Sequence, residues 1–154
     1  MNVTRLLPNI CTDRMTETRD FYLALLGFVV GFEHAGWYTQ LSSPTNPQLQ
    51  IGIVRRDHEF TPRAFQKVAQ GVIISVQVDD VDAAYTTAVK LGFRIADDLR
   101  DEAFGMRHFM VADPNGLLVN ILAFPEARAA GPSAGRPAGH SITDPRVAGA
   151  PGGS

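Results

Sequence analysis

The sequence has little cysteine, no long apolar run and no excess of basic residues, and each shortage excludes a class of protein. Cys11 is the only cysteine among 154 residues, so no disulfide can form within the chain, which fits a reducing compartment. The N-terminus, MNVTRLLPNI, lacks the apolar core of a signal peptide, and no window is long enough to span a bilayer. The formal net charge is −2, whereas nucleic acids and anionic membranes attract basic surfaces. We therefore expect a cytoplasmic protein that has neither nucleic acid nor membrane as its partner.

The C-terminal part of the chain is poor in apolar periodicity. Residues 127–154 are rich in Gly, Pro and Ala. Such a composition cannot bury enough apolar surface to offset the entropy of ordering the backbone. We expect one folded domain over residues 1–126 and a disordered tail over 127–154.

The folded part contains an internal repeat. LLPNICTD (6–13) resembles IISVQVDD (73–80), and each run is followed by a helical pattern that ends in Leu-Gly-Phe, at 26–28 and 91–93. Asp13 and Asp80 are typical helix N-caps, and Gly27 and Gly92 are typical of the position after a helix. The sequence therefore predicts two copies of a β-strand followed by a helix.

Three further strand-like runs follow each helix. They are residues 29–34, 37–43 and 48–54 in the first half, and 93–97, 106–113 and 117–124 in the second. The predicted hairpin turns are 44–47 and 113–116. The pattern predicts an α+β domain of two βαβββ modules, residues 3–54 and 72–124. The linker 55–71 contains Phe60, Phe65 and Val68, from which we expect a short packed helix.

These motifs resemble one family. RDFYLALLGF (19–28), VDDVDAAY (78–85), WYTQLSSPTNPQLQIGI (37–53) and FGMRHFMVADPNGLLVNIL (104–122) are similar to the helix and hairpin signatures of the vicinal oxygen chelate superfamily. It includes glyoxalase I, extradiol dioxygenases and the fosfomycin- and bleomycin-resistance proteins. The resemblance implies that the two modules form a cupped, eight-stranded mixed sheet, whose inner face lines a pocket and whose outer face packs on the helices. It also implies a homodimer.

Metal-dependent members of that family hold a divalent ion on the inner face, with ligands from the first and last strands of each module. Counted back from Asp13 and Asp80, the first-strand positions hold Leu6 and Ile73, and a shift of one residue brings Leu7 or Asn9 forward without supplying the site. The last-strand positions hold Gln50 and Asn120, amides where a carboxylate is usual. Since catalytic divalent sites need several carboxylate or imidazole ligands, we expect neither a metal site nor another cofactor. His34 and His58 lie in predicted loop or linker segments, where we expect them to face solvent.

Strand alternation separates the residues of the inner face from those of the core. The predicted inner, ligand-binding set consists of Tyr38, Gln40, Gln48, Gln50, Ser75, Gln77, Met106, His108, Met110, Leu118, Asn120 and Leu122. Its members are neutral, and they mix hydrogen-bonding groups with aliphatic ones. Such a wall suits an organic ligand that carries several polar groups. The same alternation assigns Trp37 to the core side, while Trp37 and Phe104 are also candidates for the mouth of the pocket.

Three functions remain open. The first is a metal-free binder that sequesters a drug or metabolite. The second is a metal-dependent lyase or dioxygenase of the glyoxalase I or extradiol type. The third is a metal-free enzyme in which His108, the one group of the inner set that titrates near neutral pH, acts as general acid or base.

Overall fold

The chain folds as a pair of βαβββ modules. The computed structural model describes residues 1–124, and the predicted tail lies outside the described residues. The elements of the first module are β1 Asn9–Thr12, α1 Met15–Leu26, β2 Val29–His34, β3 Tyr38–Ser42 and β4 Gln50–Arg55. Those of the second are β5 Ile73–Gln77, α2 Val81–Lys90, β6 Arg94–Asp101, β7 Arg107–Ala112 and β8 Leu118–Ala123.

The eight strands form two four-stranded mixed sheets with the same topology. Their strand orders are β1-β4-β3-β2 and β5-β8-β7-β6. In each sheet the first and last strands of the module pair in parallel, and the remaining pairs are antiparallel. The predicted α+β architecture and its duplication are confirmed. Within the described residues, no helix is both long and apolar enough to cross a bilayer.

One face of each sheet packs against a helix and forms the core. Ile51 and Ile53 on β4, and Val119 and Ile121 on β8, are buried there, while their sequence neighbours point to the opposite face. The core runs through both modules, because Phe21 on α1 meets Phe93 with ring centroids 4.8 Å apart. The predicted alternation of core and inner-face positions on β4 and β8 is thus confirmed, and we call the face of each sheet opposite its helix the inner face.

The two helices begin differently, which corrects one prediction. Asp80 caps α2 by accepting a hydrogen bond from the Ala83 amide at 3.0 Å. At α1 the capping position is Arg14, and its own amide donates to the Thr12 hydroxyl at 2.8 Å. Asp13 is not the cap; its carboxylate is paired with Arg56. Counting back from Asp13 therefore places the expected metal position of the first module one residue too early in the sequence.

The turn between β7 and β8 joins the modules. Asn115, at its tip, accepts a hydrogen bond from Thr12 at 2.5 Å and donates to Thr18 at 3.0 Å. Asp113 accepts from the buried Tyr22 hydroxyl at 3.3 Å. Since Thr12 and Thr18 are fully buried, this polar junction fixes the second module on α1 of the first.

The linker only partly matches its prediction. A single 3₁₀ turn, Arg63–Phe65, is present, but Phe60 and Phe65 are exposed rather than packed in the core. The element β6 is longer than predicted and continues to Asp101, which matters for the site described below.

Candidate ligand-binding site

The predicted inner set is divided between the two sheets. In the first sheet, Tyr38, Gln40 and Gln50 share one face with Gly52, and all three side chains are half-buried. Gln48 does not belong to this face, because β4 starts at Gln50 and Gln48 lies exposed in the preceding turn.

The second sheet holds the larger group. The register places the following residues on one face: Ser75, Gln77, His108, Met110, Leu118, Asn120 and Leu122. Met106 is half-buried just before β7. Ser75 and Gln77 are exposed, whereas His108 and Asn120 are buried, so the inner face is open along β5 and closed along β7 and β8.

His108 is held at both ring nitrogens. Its Nδ1 lies 2.9 Å from Asn120 Oδ1 and its Nε2 lies 3.0 Å from Glu102 Oε1. Only 3% of its surface is exposed. The Asn120 amide also reaches Ser75 Oγ at 3.4 Å. The ring is therefore a fixed link between a strand amide and a carboxylate, and Glu102 is the more exposed end of that link.

The sequence places Asp101 and Glu102 in a loop that could reach the mouth of the pocket, but it gave no indication that Glu102 orients His108. It lies in the tight turn between β6 and β7, where its amide donates to the Met106 carbonyl at 2.7 Å. Arg100 pairs directly across from His108 and donates to Glu102 at 2.9 Å. The available signal was the spacing of two residues between Arg100 and Glu102, which places both side chains on the side of the strand that faces His108. This spacing becomes informative only if β6 extends to Asp101. The hydrogen bond with His108, followed by that from Arg100, lowers the pKa of Glu102.

The lowered pKa of Glu102 makes it a carboxylate, and two proton arrangements then satisfy these distances. If Asn120 Oδ1 accepts from Nδ1, an imidazolium faces the Glu102 carboxylate. If the Asn120 amide is turned by 180°, its nitrogen donates to Nδ1, and a neutral ring donates from Nε2 to Glu102. In both arrangements the His108 ring donates to Glu102, so the carboxylate carries the negative charge of the pair.

The residues at the expected metal positions do not fit a metal ion. The two modules can be aligned by the residues at which their helices begin. In this alignment the ladder pair of Asn9 and Gly52 is equivalent to the ladder pair of Ser75 and Asn120. The counterpart of Ile73 is therefore Leu7 rather than Leu6, and the counterpart of Asn120 is Gly52. Two aliphatic side chains, a glycine and an amide already bonded to His108 supply no anionic donor.

Gln50, the other amide considered, does not complete such a site. Its Nε2 donates to the Pro47 carbonyl at 2.6 Å, and its Oε1 is buried without a hydrogen-bond partner. Across residues 1–124, no three side chains of the His, Cys, Asp and Glu types are grouped so as to hold a metal ion.

A cleft of about 480 Å³ opens at one end of the first sheet, and we call it the aromatic cleft. It is lined by Leu7, Asn9, Phe32, His34, Trp37, Tyr38 and Phe60. Only Tyr38 of the predicted set is among them. The turn at Ala35 and Gly36 has left-handed backbone angles at both residues, a geometry typical of tight hairpins, and it brings the Trp37 amide to the His34 carbonyl at 3.1 Å.

His34 is exposed as expected, Trp37 takes one of the two places left open for it, and His58 departs from expectation. His58 does not simply face solvent: its ring stacks on Trp37 with centroids 3.9 Å apart and an interplanar angle of 3°. His34, at the end of β2, meets Trp37 edge-on at 5.7 Å. Trp37 lines the cleft instead of the core, whereas Phe104 is exposed in the turn after β6. No pattern in the sequence indicates that the linker folds back on this hairpin.

Comparison with known proteins agrees with this architecture. The sequence profile of the Glyoxalase/Bleomycin resistance protein/Dioxygenase superfamily matches residues 4–121. No curated protein is similar enough to the sequence to be matched with it.

Solved structures with the same fold cover most of the chain. TioX from Micromonospora sp. ML1 is 18% identical, with a TM-score of 0.64 over 79% of this chain and 99% of its own. A superfamily member from Sphaerobacter thermophilus DSM 20745 is 20% identical, with a TM-score of 0.64 over 79% and 98%. Lactoylglutathione lyase from Agrobacterium tumefaciens is 13% identical, with a TM-score of 0.62 over 79% and 94%. At these identities the likeness establishes the fold alone.

Proposed function

Because the chain belongs to the Glyoxalase/Bleomycin resistance protein/Dioxygenase superfamily, we propose that it binds a small organic molecule on its inner faces without a metal ion. One observation carries the proposal: the positions where a metal would need donors hold Leu7, Gly52, Ile73 and the engaged amide of Asn120. An ion placed there would lose its hydration without gaining anionic ligands. A neutral organic ligand loses much less hydration free energy on entering the same site.

The polarity of the inner faces supports a ligand of this kind. Half-buried Met110, Leu118 and Leu122 offer apolar contact, and Ser75 and Gln77 offer exposed hydrogen-bonding groups beside them. Binding sites for organic molecules commonly combine an apolar lining with a few polar groups. Sequestration of a drug or metabolite, in a reducing cytoplasm where Cys11 stays a thiol, is the role we propose.

We further propose that two copies of the chain pair. Ile73 on the inner face of β5 is 52% exposed, and its neighbour Val72 is 55% exposed. A second copy placed over these residues would bury apolar surface and enclose the inner faces. Analytical ultracentrifugation at micromolar concentration is expected to show a dimer, and a monomer would contradict this part of the proposal.

Two measurements test the binding proposal. Elemental analysis of protein purified without chelator is expected to find no stoichiometric transition metal, and a thermal-shift screen of small molecules in EDTA is expected to find stabilising ligands. Ser75→Phe fills the inner face and should abolish their effect, whereas Thr86→Phe, on the exposed surface of α2, should not. A stoichiometric metal that is lost in Asn120→Ala would instead support a metal-dependent lyase or dioxygenase.

The link between His108 and Glu102 favours a second candidate, a metal-free enzyme. The ring of His108 is enclosed, so Glu102 is the group that could exchange a proton with a bound substrate, and His108 would position and stabilise it. Glu102→Gln keeps the shape and removes the charge. Loss of turnover with unchanged ligand affinity would support the enzyme, and unchanged turnover would exclude this role for Glu102.

A further inference from the structure

We propose that the aromatic cleft binds a flat, uncharged aromatic molecule, which is recognised by stacking on its exposed ring faces. This inference rests on the proposed binding function and names the class of ligand. Of the side chains concerned, the sequence predicted a ligand-binding role only for Tyr38 and a possible place at the mouth for Trp37; Phe32, His34 and Phe60 are added by the structure.

The rings form one connected cluster around the opening. Phe32 and His34 are nearly parallel, with centroids 6.3 Å apart and planes 14° apart. Trp37 and Phe60, also in the lining, have centroids 5.5 Å apart. Tyr38 contacts both pairs, at 6.2 Å from Phe32 and 5.7 Å from Trp37. An array of ring faces around one opening favours a guest that also presents ring faces.

His58 fixes the position of the indole. It stacks on Trp37 but does not line the cleft, so it occupies one side of the indole and leaves the ring's remaining surface to a ligand. Its Nδ1 accepts the Phe60 amide at 3.1 Å, and its carbonyl accepts from Gln66 at 3.3 Å. This part of the cleft is therefore ordered before a ligand arrives, which lowers the entropic cost of binding.

The end of the cleft near β1 is polar. Asn9 lies over Gly52, where a Cβ would approach its Oδ1 to 1.9 Å, and the Tyr38 hydroxyl is 3.2 Å from the same point. The missing side chain at Gly52 is what leaves space for both groups. An amide and a hydroxyl side by side can bind a ring nitrogen or a carbonyl at the edge of a flat ligand.

The charge and size of the cleft narrow the class of ligand. None of the residues that line it carries a carboxylate, an ammonium or a guanidinium, and His34 is the one lining residue that can hold a charge, so an ionised ligand would gain little from ion pairing. About 480 Å³ falls within the range of sites for small organic molecules. Phe32 and Phe60 are 53% and 61% exposed, which leaves ring surface for a ligand to cover.

The test uses Trp37, the one tryptophan of the chain, as reporter. Phenazine, which is flat, uncharged and carries ring nitrogens, is titrated into the full-length protein while the fluorescence of Trp37 is followed, with calorimetry as the second measurement. We expect saturable quenching. Phe60→Leu keeps an apolar side chain and removes one ring, so it should weaken binding about ten-fold, as loss of one stacking partner does elsewhere. Phe104→Leu, an equally exposed phenylalanine outside the cleft, should leave the affinity unchanged.

Each other result overturns the inference. Absence of saturable quenching refutes it, as does equal weakening by both substitutions, or preference for tetramethylammonium over phenazine. If Phe60→Leu instead converts a dimer to a monomer and phenazine has no effect, the cleft is an interface between copies. Should phenazine fail while another small molecule still loses binding in Ser75→Phe, this inference falls and the proposed function stands. If neither phenazine nor any other screened small molecule binds, the proposed function falls as well.

Discussion

Replacing Asn115 by alanine is expected to destabilise the whole domain, because this side chain bonds the second module to α1. The substitution removes three hydrogen bonds: from Thr12 at 2.5 Å, to Thr18 at 3.0 Å and to Asp113 at 3.1 Å. The backbone bond from the Asn115 amide to Asp113 remains, so the turn itself should keep its shape.

The magnitude follows from the burial of the partners. Thr12 and Thr18 are fully buried, and Asp113 is nearly so, so water cannot readily replace Asn115. At about 0.5–1.5 kcal/mol for each bond, the three sum to roughly 2–4 kcal/mol. The two hydroxyls still lie 3.2 Å apart and can bond each other, which keeps the cost below that of leaving each unpaired. That loss is a large part of a stability of about 5–15 kcal/mol.

Urea unfolding followed by circular dichroism measures this loss, and the melting temperature should fall by roughly 10–15 °C. The matched control is Asn46→Ala in the turn between β3 and β4, where the exposed side chain accepts one bond from the Gln48 amide at 3.2 Å. We expect that control to cost less than about 1 kcal/mol. Equal effects of the Asn115 and Asn46 substitutions would refute the idea that the turn of the second module holds the two modules together.

Two further predictions concern pH. The hydrogen bond with His108 lowers the pKa of Glu102 below its ordinary value of 4.5, so its contribution to stability is present above that pH and is lost as pH falls through the folded-state pKa. Glu102→Gln should therefore reduce the acid dependence of the unfolding free energy, and an unchanged acid limb would contradict the link. Burial, followed by the charge of Asp113, raises the pKa of Tyr22 above its ordinary value of 10.0. Above that pH the unfolded chain ionises while the folded chain does not, so stability falls. Tyr22→Phe should remove this loss of stability at alkaline pH, at a cost of about 0.5–1.5 kcal/mol in unfolding free energy near neutral pH. If the unfolding free energy of the variant falls at alkaline pH as it does in the unsubstituted protein, Tyr22 is not the cause of that fall.

Local pattern was enough for much of the fold. The duplication, the two helices, the strand runs and the assignment of Ile51, Ile53, Val119 and Ile121 to the core all follow from periodicity. This works because a side chain's face on a strand or helix is set by its position in the repeat. The prediction of Asp13 as a cap failed because α1 starts at Met15, which places Arg14 at the capping position, while the carboxylate of Asp13 pairs with Arg56.

The sequence by itself determined the two βαβββ modules, and it predicted uncharged residues at the positions of a metal site, of which Leu6 and Gln50 are replaced by Leu7 and Gly52 in the structure. Only the tertiary structure decided which carboxylate meets His108 and that Trp37, His58 and Phe60 assemble beside β3. The first depends on irregular pairing between β6 and β7, and the second on the path of the linker. Both are contacts between segments whose approach is set by packing of the whole domain, so no local periodicity encodes them.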